Sequence, residues 1–294
     1  MQVVVFGTAF KDSQIPAIES LFDSLQKYGL TCFVFADYLD LIEGKVRLPA
    51  TCGKVDNYLD LLARKFDAVL VLGGDGTMLA AVNLVRDSRV PILGINLGRL
   101  GFLASTDKEH IEDAVACLAH GTFHIDERSL LYLESSPAGV FGDLPVALND
   151  CTILKRDTSS MITIDVFLNG DYLNSYWADG IIISTPTGST GYSLSCGGPI
   201  IFPDSQNFVL TPVAPHNLNM RPIVISDSSV ISFEIEGRAD NFLCTLDSRF
   251  ATVTSKHQLA VRKNDYPIRL ILLENHSFLK TIREKLMWGS DFRN

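Results

Sequence analysis

The spacing of apolar residues changes along this chain, and the change divides it into two regions. In the first hundred residues, short apolar runs alternate with segments whose apolar residues recur three and four positions apart, which is the spacing of one helix face. The pattern predicts strands at Gln2–Phe6, Cys32–Phe35, Ala68–Leu72 and Val90–Ile95, and helices at Ile15–Tyr28, Val55–Lys65 and Thr77–Arg86. Strands and helices in this alternation predict an α/β domain with a mainly parallel sheet.

Strand patterns dominate the second region, after one more predicted helix at Ile111–Ala119. Alternate residues of Met161–Leu168 are apolar, and the Asn169-Gly170 that follows is a two-residue hairpin signal. Apolar and polar residues also alternate in Val230–Gly237, as in a strand with one face in water. These patterns predict an all-β, sandwich-like domain.

The two patterns suggest three segments. We expect an α/β domain at residues 1–104 and a β-rich domain at residues 105–270. A last predicted helix, Ser277–Trp288, has apolar residues at fourth-residue spacing and needs an apolar partner. Residues 271–294 are therefore expected to return to the first domain.

Composition narrows the classes of partner. The 294 residues carry a formal net charge of -9, which argues against general binding to nucleic acid or to an anionic membrane. No apolar run approaches the roughly 18 residues of a membrane span. Six scattered cysteines without a CxxC pair are typical of reduced thiols in a cytoplasmic protein, not of a disulfide framework or a metal site.

A glycine turn with a carboxylate follows the third predicted strand. Gly73-Gly74-Asp75-Gly76-Thr77 lies where open α/β sheets bind ligands, yet it matches neither a P-loop nor G-x-G-x-x-G. The glycine N–H groups suit phosphates, whereas a carboxylate there suits a cation or the proton of an attacking hydroxyl. Both options favour phosphoryl transfer; the alternative is that Asp75 only caps the next helix at Thr77 or Met78.

A second polar segment spans Asp179–Pro199. It predicts a strand at Ile181–Ser184 and then a loop rich in hydroxyls and glycines, which suits a nucleotide. The alternative is a turn whose hydroxyls bond the local backbone. Asn149-Asp150, predicted to end a strand, offers an amide and a carboxylate for vicinal ribose hydroxyls, and Tyr192 offers an aromatic face.

These motifs together resemble the NAD kinase family of the GGDGT kinase superfamily, which includes diacylglycerol and sphingosine kinases. The segment Asp179–Pro199 is similar to that family's DG…STPTGSTAYSLSAGGP stretch almost residue for residue. The similarity continues in motifs at Asn96–Phe102, Leu148–Asp150, Pro215–Pro222 and Lys285–Trp288. The resemblance implies a phosphotransferase that makes NADP from NAD and ATP with Mg²⁺ or another divalent cation, works in the cytoplasm and forms a homodimer or homotetramer.

The resemblance also implies residue roles. Asp75 would be the base for the ribose 2′-hydroxyl, in a substrate site where the dinucleotide lies between the two domains. The implied NAD-binding residues are Asp75, Gly76, Asn149, Asp150, Asp179, Thr190, Gly191, Tyr192, Ser193, Leu194, Ser195 and Ala214. Asp179 would contact the nicotinamide end, often from a neighbouring subunit. The phosphate-binding residues would be Gly73, Gly74, Gly76 and Thr77. No protein ligand to a metal is implied.

Several positions depart from the family pattern. Gly191 stands where alanine is usual, and Trp177 stands where some members have arginine. Arg249 replaces a polar amide, so it either binds an anion such as phosphate or is a solvated hairpin arginine. His216 is read as a structural histidine in its loop.

Other functions share part of these motifs. A lipid kinase of the diacylglycerol or sphingosine type shares GGDG, but the chain shows no amphipathic apolar stretch for acyl chains. A sugar-phosphate kinase such as 6-phosphofructokinase needs a basic pocket, and no Arg/Lys cluster is near the motifs. A regulator that binds NAD or NADP without turnover could dispense with Asp75, which is present. NAD versus NADH, and ATP versus polyphosphate, stay open at this point.

Overall fold

The chain folds into two compact units. The computed structural model describes residues 1–98, 101–104, 106–156, 160–238, 240–273 and 277–287. One unit comprises Met1–Glu127 and Ile268–Asn294, and the other comprises Arg128–Pro267. The sequence pattern placed the second domain from residue 105, whereas the second unit starts at Arg128, because the helix between these positions packs on the first helix of the chain.

The first unit alternates strands and helices, as the apolar spacing predicted. Its strands are β1 (Gln2–Phe6), β2 (Thr31–Phe35), β3 (Gly53–Val55), β4 (Ala68–Leu72), β5 (Ile92–Asn96), β6 (Thr106–Asp107) and β7 (Phe123–Arg128). Its helices to that point are α1 (Ile15–Lys27), α2 (Ala36–Ile42), α3 (Tyr58–Ala63), α4 (Asp75–Val85) and α5 (Ile111–His120). The pairs β1–β2, β1–β4, β2–β3 and β4–β5 are parallel.

The strands at the centre of this sheet are continuous apolar runs in the sequence because they are buried on both faces. Every residue of β4 and of β5 is buried, as expected for parallel strands covered by helices on both faces. The core includes apolar residues of α1 and of α5, such as Leu21, Leu25 and Val115. This packing brings the carboxyl ends of β4 and β5 to the same edge of the sheet.

Two predicted helices differ from the structure at their ends. The segment predicted as a helix from Val55 starts instead at Tyr58, because the Asn57 side chain accepts hydrogen bonds from the backbone N–H groups of Leu59 and Asp60 and caps the helix there. Helix α4 starts at Asp75, two residues before the predicted Thr77. The carboxylate of Asp75 is therefore part of the first helical turn.

The second unit is the predicted β-rich domain. Its strands are β8 (Leu131–Ser136), β9 (Val146–Ala147), β10 (Asp150–Lys155), β11 (Ile162–Leu168), β12 (Asp171–Ala178), β13 (Gly180–Ser184), β14 (Asn207–Val213), β15 (Ile223–Ser226), β16 (Ile231–Glu236), β17 (Phe242–Leu246), β18 (Arg249–Val253) and β19 (Gln258–Lys263), with one short helix, α6 (Tyr192–Ser195). Within the described residues these strands form two six-stranded sheets, ordered β15-β14-β13-β10-β17-β18 and β12-β11-β16-β19-β8-β9.

Alternating burial confirms the strand patterns of this unit. In β11, Ile162, Ile164 and Val166 are buried, and their apolar side chains join the core. The predicted hairpin at Asn169-Gly170 connects β11 to β12, and both turn residues have positive φ, at 54° and 90°.

The chain then returns to the first unit. Strand β20 (Ile268–Leu273) pairs in parallel with β5, and α7 (Phe278–Leu286) follows, with Ile282 buried. This return is the predicted one, with an added strand; Trp288 lies outside the described residues. Within the described ranges, every helix is too short or too polar to span a bilayer.

Candidate active site

The turn between β4 and α4 needs a glycine at its first position. Gly73 has φ +156°, and a Cβ atom there would lie 2.3 Å from the Thr77 Oγ1 atom. Its N–H group donates to the Ile95 carbonyl oxygen at 3.0 Å, which ties the turn to β5. Thr77 Oγ1 in turn lies 3.2 Å from Thr8 Oγ1. The turn is thus fixed on both sides by the parallel sheet and its loops.

The Asp75 carboxylate is held by a neighbouring loop. Its Oδ2 atom accepts from the Phe102 N–H at 2.9 Å, and its Oδ1 atom accepts from the N–H groups of Leu103 at 3.0 Å and Ala104 at 3.4 Å. The alternative that Asp75 caps α4 at Thr77 or Met78 is wrong, because the N–H groups of those two residues donate to the Gly74 carbonyl oxygen.

Gly101 makes this contact sterically possible. A Cβ atom at residue 101 would lie 1.9 Å from Asp75 Oδ1, which is far inside van der Waals contact. The contact with Asp75 therefore explains why the motif Asn96–Phe102 has a glycine at residue 101. Residues 99 and 100 of that motif lie outside the described residues.

The four residues expected to bind phosphate divide into two kinds. The N–H groups of Gly73 and Thr77 donate to backbone carbonyls, so these two stabilise the turn. Gly76 is exposed and lies in the first turn of α4, where a helix supplies no acceptor for its leading N–H groups. Gly74 is the N-cap residue of α4. The amides available to a phosphate are thus those at the start of the helix.

In the second unit, the hydroxyls after β13 bond to the protein itself. Thr185 Oγ1 donates to the Leu148 carbonyl at 2.5 Å and accepts from the Gly188 N–H at 3.1 Å. Ser189 Oγ donates to the Pro186 carbonyl at 2.6 Å, and both hydroxyl residues are fully buried. The interpretation that these two hydroxyls face a nucleotide is wrong; the alternative of local backbone hydrogen bonds holds for them.

The predicted loop is also more regular than expected. Thr187–Thr190 forms a 3-10 turn, and α6 follows directly. Thr190 Oγ1 donates to the Thr187 carbonyl at 3.3 Å, and Thr187 Oγ1 accepts from Arg128 Nη1 at 3.2 Å. Gly188 lets this turn pack on the backbone just before β10, because a Cβ there would lie 2.1 Å from the Asn149 carbonyl oxygen.

Asn149 and Asp150 lie at the start of a strand, not at its end as predicted. Strand β10 begins at Asp150, and Asn149 precedes it. Asp150 is 7% exposed, and burial, with a smaller contribution from the Asp247 charge, raises the pKa of its carboxyl to about 7. Within the described part of the chain, no hydrogen bond reaches this carboxylate. The Asp150 carboxylate is thus a buried hydrogen-bond acceptor, and an N–H or O–H donor from a ligand would stabilise it.

The residues after the hydroxyl turn gather beside Asp150. A Cβ atom at Gly191 would lie 3.9 Å from Asp150 Oδ2. Tyr192 is 41% exposed, and burial, followed by the charges of Cys196, Asp150 and Asp179, raises the pKa of its hydroxyl. Asn149, Asp150, Gly191 and Tyr192 thus form one cluster, in agreement with their grouping by motif.

The rest of α6 is partly structural. Ser193 is fully buried, and its hydroxyl lies 2.8 Å from Thr211 Oγ1. Leu194 is half-buried and Ser195 is exposed. Of these three predicted contacts, only Leu194 and Ser195 present a side chain toward solvent.

A second cluster surrounds Asp179. Its Oδ1 atom pairs with Lys155 Nζ at 2.6 Å, and its N–H donates to the Val213 carbonyl at 3.0 Å, next to exposed Ala214. In the same segment, the rings of Trp177 and His216 lie 4.2 Å apart between centroids and are tilted by 41°, and the backbone N–H of His216 donates to the Trp177 carbonyl at 2.9 Å. The structural role of the His216 side chain stays a prediction, with its ring contact to Trp177 in its favour.

Sequence reasoning missed Lys155 and Asp247. Lys155 carries no motif and is found only through the fold, since β10 and β13 are antiparallel neighbours. Asp247 lies two residues before Arg249 and has no predicted role. It occupies the turn between two strand patterns, with φ +54°, a conformation that aspartate tolerates better than most residues.

Comparisons with known proteins agree on one family. The model of the ATP-NAD kinase N-terminal domain matches residues 50–123, and the model of the ATP-NAD kinase C-terminal domain matches residues 148–273. The NAD kinase of Cytophaga hutchinsonii is 46% identical over 295 residues, with 100% of both chains covered. The NAD kinase of Flavobacterium psychrophilum is 45% identical over the same length and coverage.

Solved structures share the fold. Yeast NADH kinase, in a complex with NADH, has a TM-score of 0.88 and 24% identity over 99% of this chain and 89% of its own. An NAD kinase from Archaeoglobus fulgidus, in a complex with ATP, has a TM-score of 0.73 and 21% identity over 98% of this chain and 99% of its own.

Proposed function

Because this chain belongs to the ATP-NAD kinase family, we propose that it transfers the γ-phosphate of ATP to the 2′-hydroxyl of the adenosine ribose of NAD. The product is NADP. The function of the chain is that of an NAD kinase; the position of transfer and the residue roles below are our proposal. The observation that carries them is the fixed carboxylate of Asp75 at the start of α4, after a central parallel strand.

Asp75 is the proposed proton acceptor. A carboxylate offers about four acceptor positions, and the described backbone N–H groups of residues 102–104 occupy three of them. The remaining position suits the ribose 2′-hydroxyl. Because the carboxylate cannot rotate freely, it stays oriented for the hydroxyl through the transfer. The proton moves to Asp75 as the bond from oxygen to phosphorus forms and the bond to ADP breaks.

The start of α4 is the proposed phosphate site. The leading N–H groups of a helix and its dipole attract anions, and Gly74 and Gly76 leave their backbone open to close approach. ATP is expected to enter as its Mg²⁺ complex, in which the cation neutralises charge on the phosphates. Gly73 and Thr77 contribute by fixing the turn.

Asn149, Asp150, Gly191 and Tyr192 are proposed to bind the adenosine part of NAD. A buried carboxylate with no donor among the described residues gains most from a ligand that brings one, and adenine and ribose both carry N–H or O–H donors. Gly191 leaves space next to Asp150, and the exposed Tyr192 ring supplies a surface for stacking. Thr190, Leu194 and Ser195 border this cluster.

Asp179 and Ala214 are proposed to contact the nicotinamide part. Lys155 neutralises Asp179, so a ligand there meets a paired carboxylate. In the same segment, the Trp177 ring contacts the His216 ring and is 47% exposed, so it offers an apolar surface to a ligand ring.

Two further features belong to this proposal. The free cysteines are consistent with activity in the cytoplasm, and the family resemblance suggests a homo-oligomer. Light scattering coupled to size-exclusion chromatography measures the latter; a monomer at assay concentration contradicts it.

The test is a direct assay of the product. Purified protein is incubated with Mg-ATP and NAD, and NADP is read with an NADP-specific dehydrogenase, which does not accept a 3′-phosphate isomer. Diacylglycerol and fructose 6-phosphate are offered in parallel with labelled ATP. NADP formation without label in the other acceptors supports the proposal; labelled lipid without NADP contradicts it. NAD binding without turnover contradicts it in favour of a regulator.

A further inference from the structure

The turn between β17 and β18 binds the backbone that carries Asn149 and Asp150. The Oδ2 atom of Asp247 accepts from the Leu148 N–H at 2.8 Å. Its Oδ1 atom accepts from the N–H groups of Asn149 at 2.8 Å and Asp150 at 3.1 Å. The Asp247 N–H also donates to the Asp150 carbonyl oxygen at 3.0 Å. One side chain therefore fixes three consecutive peptide groups.

Arg249 also binds the backbone before β10, but through carbonyl oxygens instead of N–H groups. Its Nη1 atom donates to the Leu144 carbonyl at 2.6 Å, and its Nη2 atom donates to the Val146 carbonyl. The guanidinium also lies over the Phe141 ring, 5.8 Å from its centroid. These contacts direct two of its donors to backbone carbonyls, so Arg249 is not simply a solvated hairpin arginine.

We propose that Asp247 and Arg249 are positioning residues for the adenosine of NAD. Together they hold the backbone of residues 144–150, Arg249 through two carbonyls and Asp247 through three N–H groups, so that Asn149 and Asp150 start β10 in one fixed orientation. This inference rests on the proposed function, since it assumes that Asn149 and Asp150 bind NAD.

Asp247 also acts on Asp150 through its charge. The charge that acts on the Asp150 carboxyl is that of Asp247 in the turn. The charge of Asp150 acts in turn on Tyr192 of α6 and on Cys151, the next residue of its own strand. Burial is the main cause of the raised pKa of Asp150, and the Asp247 charge adds to it. Removal of that charge lowers the pKa of Asp150, which a purely structural role of Asp247 would not require.

The test compares KM and kcat for NAD in three variants. In Asp247→Asn and Arg249→Gln, we expect KM for NAD to rise about 10-fold or more, as for lost hydrogen bonds to a charged group, with KM for ATP unchanged. Arg249→Lys restores one donor and is expected to recover part of the loss. In Asp247→Asn, the midpoint of the pH dependence of NAD binding moves to lower pH.

Matched controls come from the same unit. Arg262→Gln removes an arginine that lies over Tyr132 and pairs with Glu134, and Asp227→Asn removes a buried carboxylate that pairs with Lys263. Both are expected to keep KM for NAD within about 2-fold. Amide hydrogen exchange at residues 148–150 is expected to be faster in Asp247→Asn than in either control.

The outcomes separate this inference from the proposed function. Wild-type protein that makes NADP, with variants no different from the controls in KM and pH midpoint, overturns the positioning roles and leaves the function intact. A parallel fall in kcat and in the unfolding temperature, with KM unchanged, also overturns them. Wild-type protein that binds no NAD overturns both.

Discussion

Replacement of Asp150 by asparagine is expected to stabilise the protein at alkaline pH while it weakens NAD binding. Asp150 is buried without a described hydrogen-bond donor, and the pKa of its carboxyl is raised from 3.8 to about 7. At pH 8 the folded protein therefore carries a buried charge at a cost, whereas asparagine has nearly the same shape and no charge.

The magnitude follows from the pKa difference. Between pH 3.8 and about 7 the folded state keeps a proton that the unfolded state releases, so stability falls as the pH rises and is constant above pH 7. At 1.36 kcal/mol per pKa unit, the full cost is about 4 kcal/mol, of which about 3 kcal/mol accrues between pH 5 and pH 8. The pH dependence of groups that do not interact with Asp150 is shared by both proteins and cancels in the comparison.

The assay is equilibrium urea unfolding of wild type and Asp150→Asn at pH 5 and pH 8. The difference in the free energy of unfolding between the two proteins is expected to grow in favour of the variant by about 3 kcal/mol over this range. Asp204→Asn, at an exposed position, serves as the control and is expected to show no such growth. Isothermal titration is expected to show weaker NAD binding by Asp150→Asn only.

A difference that is the same at both pH values refutes the reasoning. It would mean that Asp150 is ionised in the folded protein at pH 5, and thus that a donor satisfies it. A variant that becomes relatively less stable at pH 8 would give the opposite sign and refute it as well.

Three other changes test separate contacts. Gly101→Ala places a methyl group 1.9 Å from Asp75 Oδ1 and is expected to lower kcat/KM about 100-fold. Gly98→Ala, the control, meets only an ordinary contact at 3.7 Å. Equal rates for the two variants contradict the role of the Asp75 contact. Thr185→Val removes a buried hydroxyl with two backbone partners and is expected to cost about 1–3 kcal/mol of unfolding free energy, with recovery in Thr185→Ser; an unchanged urea midpoint contradicts this. The Cys52 thiol lies 3.9 Å from that of Cys32, and this contact lowers the pKa of Cys52. Iodoacetamide is therefore expected to label Cys52 before the fully buried Cys151 and Cys244. Peptide mass spectrometry that finds either buried thiol labelled first contradicts this order of reactivity.

Periodicity predicted most strands and helices because the core of each unit is built from their apolar faces. The alternation in Met161–Leu168 and the Asn169-Gly170 turn gave β11, its hairpin and its partner β12. Periodicity failed where a side chain overrides it. Asn57 caps α3, so the helix starts at Tyr58, three residues after the predicted start. The parallel pairing of β20 with β5 was not predicted, because periodicity does not show which strands pair.

The motifs identified the residues of the candidate site, but not what holds them. A motif does not distinguish a hydroxyl that faces a ligand from one that bonds the backbone, and Thr185 and Ser189 belong to the second kind. Nor does it show that Asp75 is bound by residues 102–104. Such contacts depend on which loops meet at one edge of a sheet, and sequence spacing does not contain that information.

The most direct test of the central claim is the rate of NADP formation by Asp75→Asn with Mg-ATP and NAD saturating. Asparagine keeps an oxygen for the N–H groups of the 101–104 loop, and amide exchange at residues 102–104 shows whether the loop is still held. With the loop held and NAD bound within a few-fold of wild type, we predict a loss of about 100- to 10,000-fold in kcat, as for removal of a general base. A kcat within about 3-fold of wild type under the same conditions would contradict the role of Asp75 as proton acceptor.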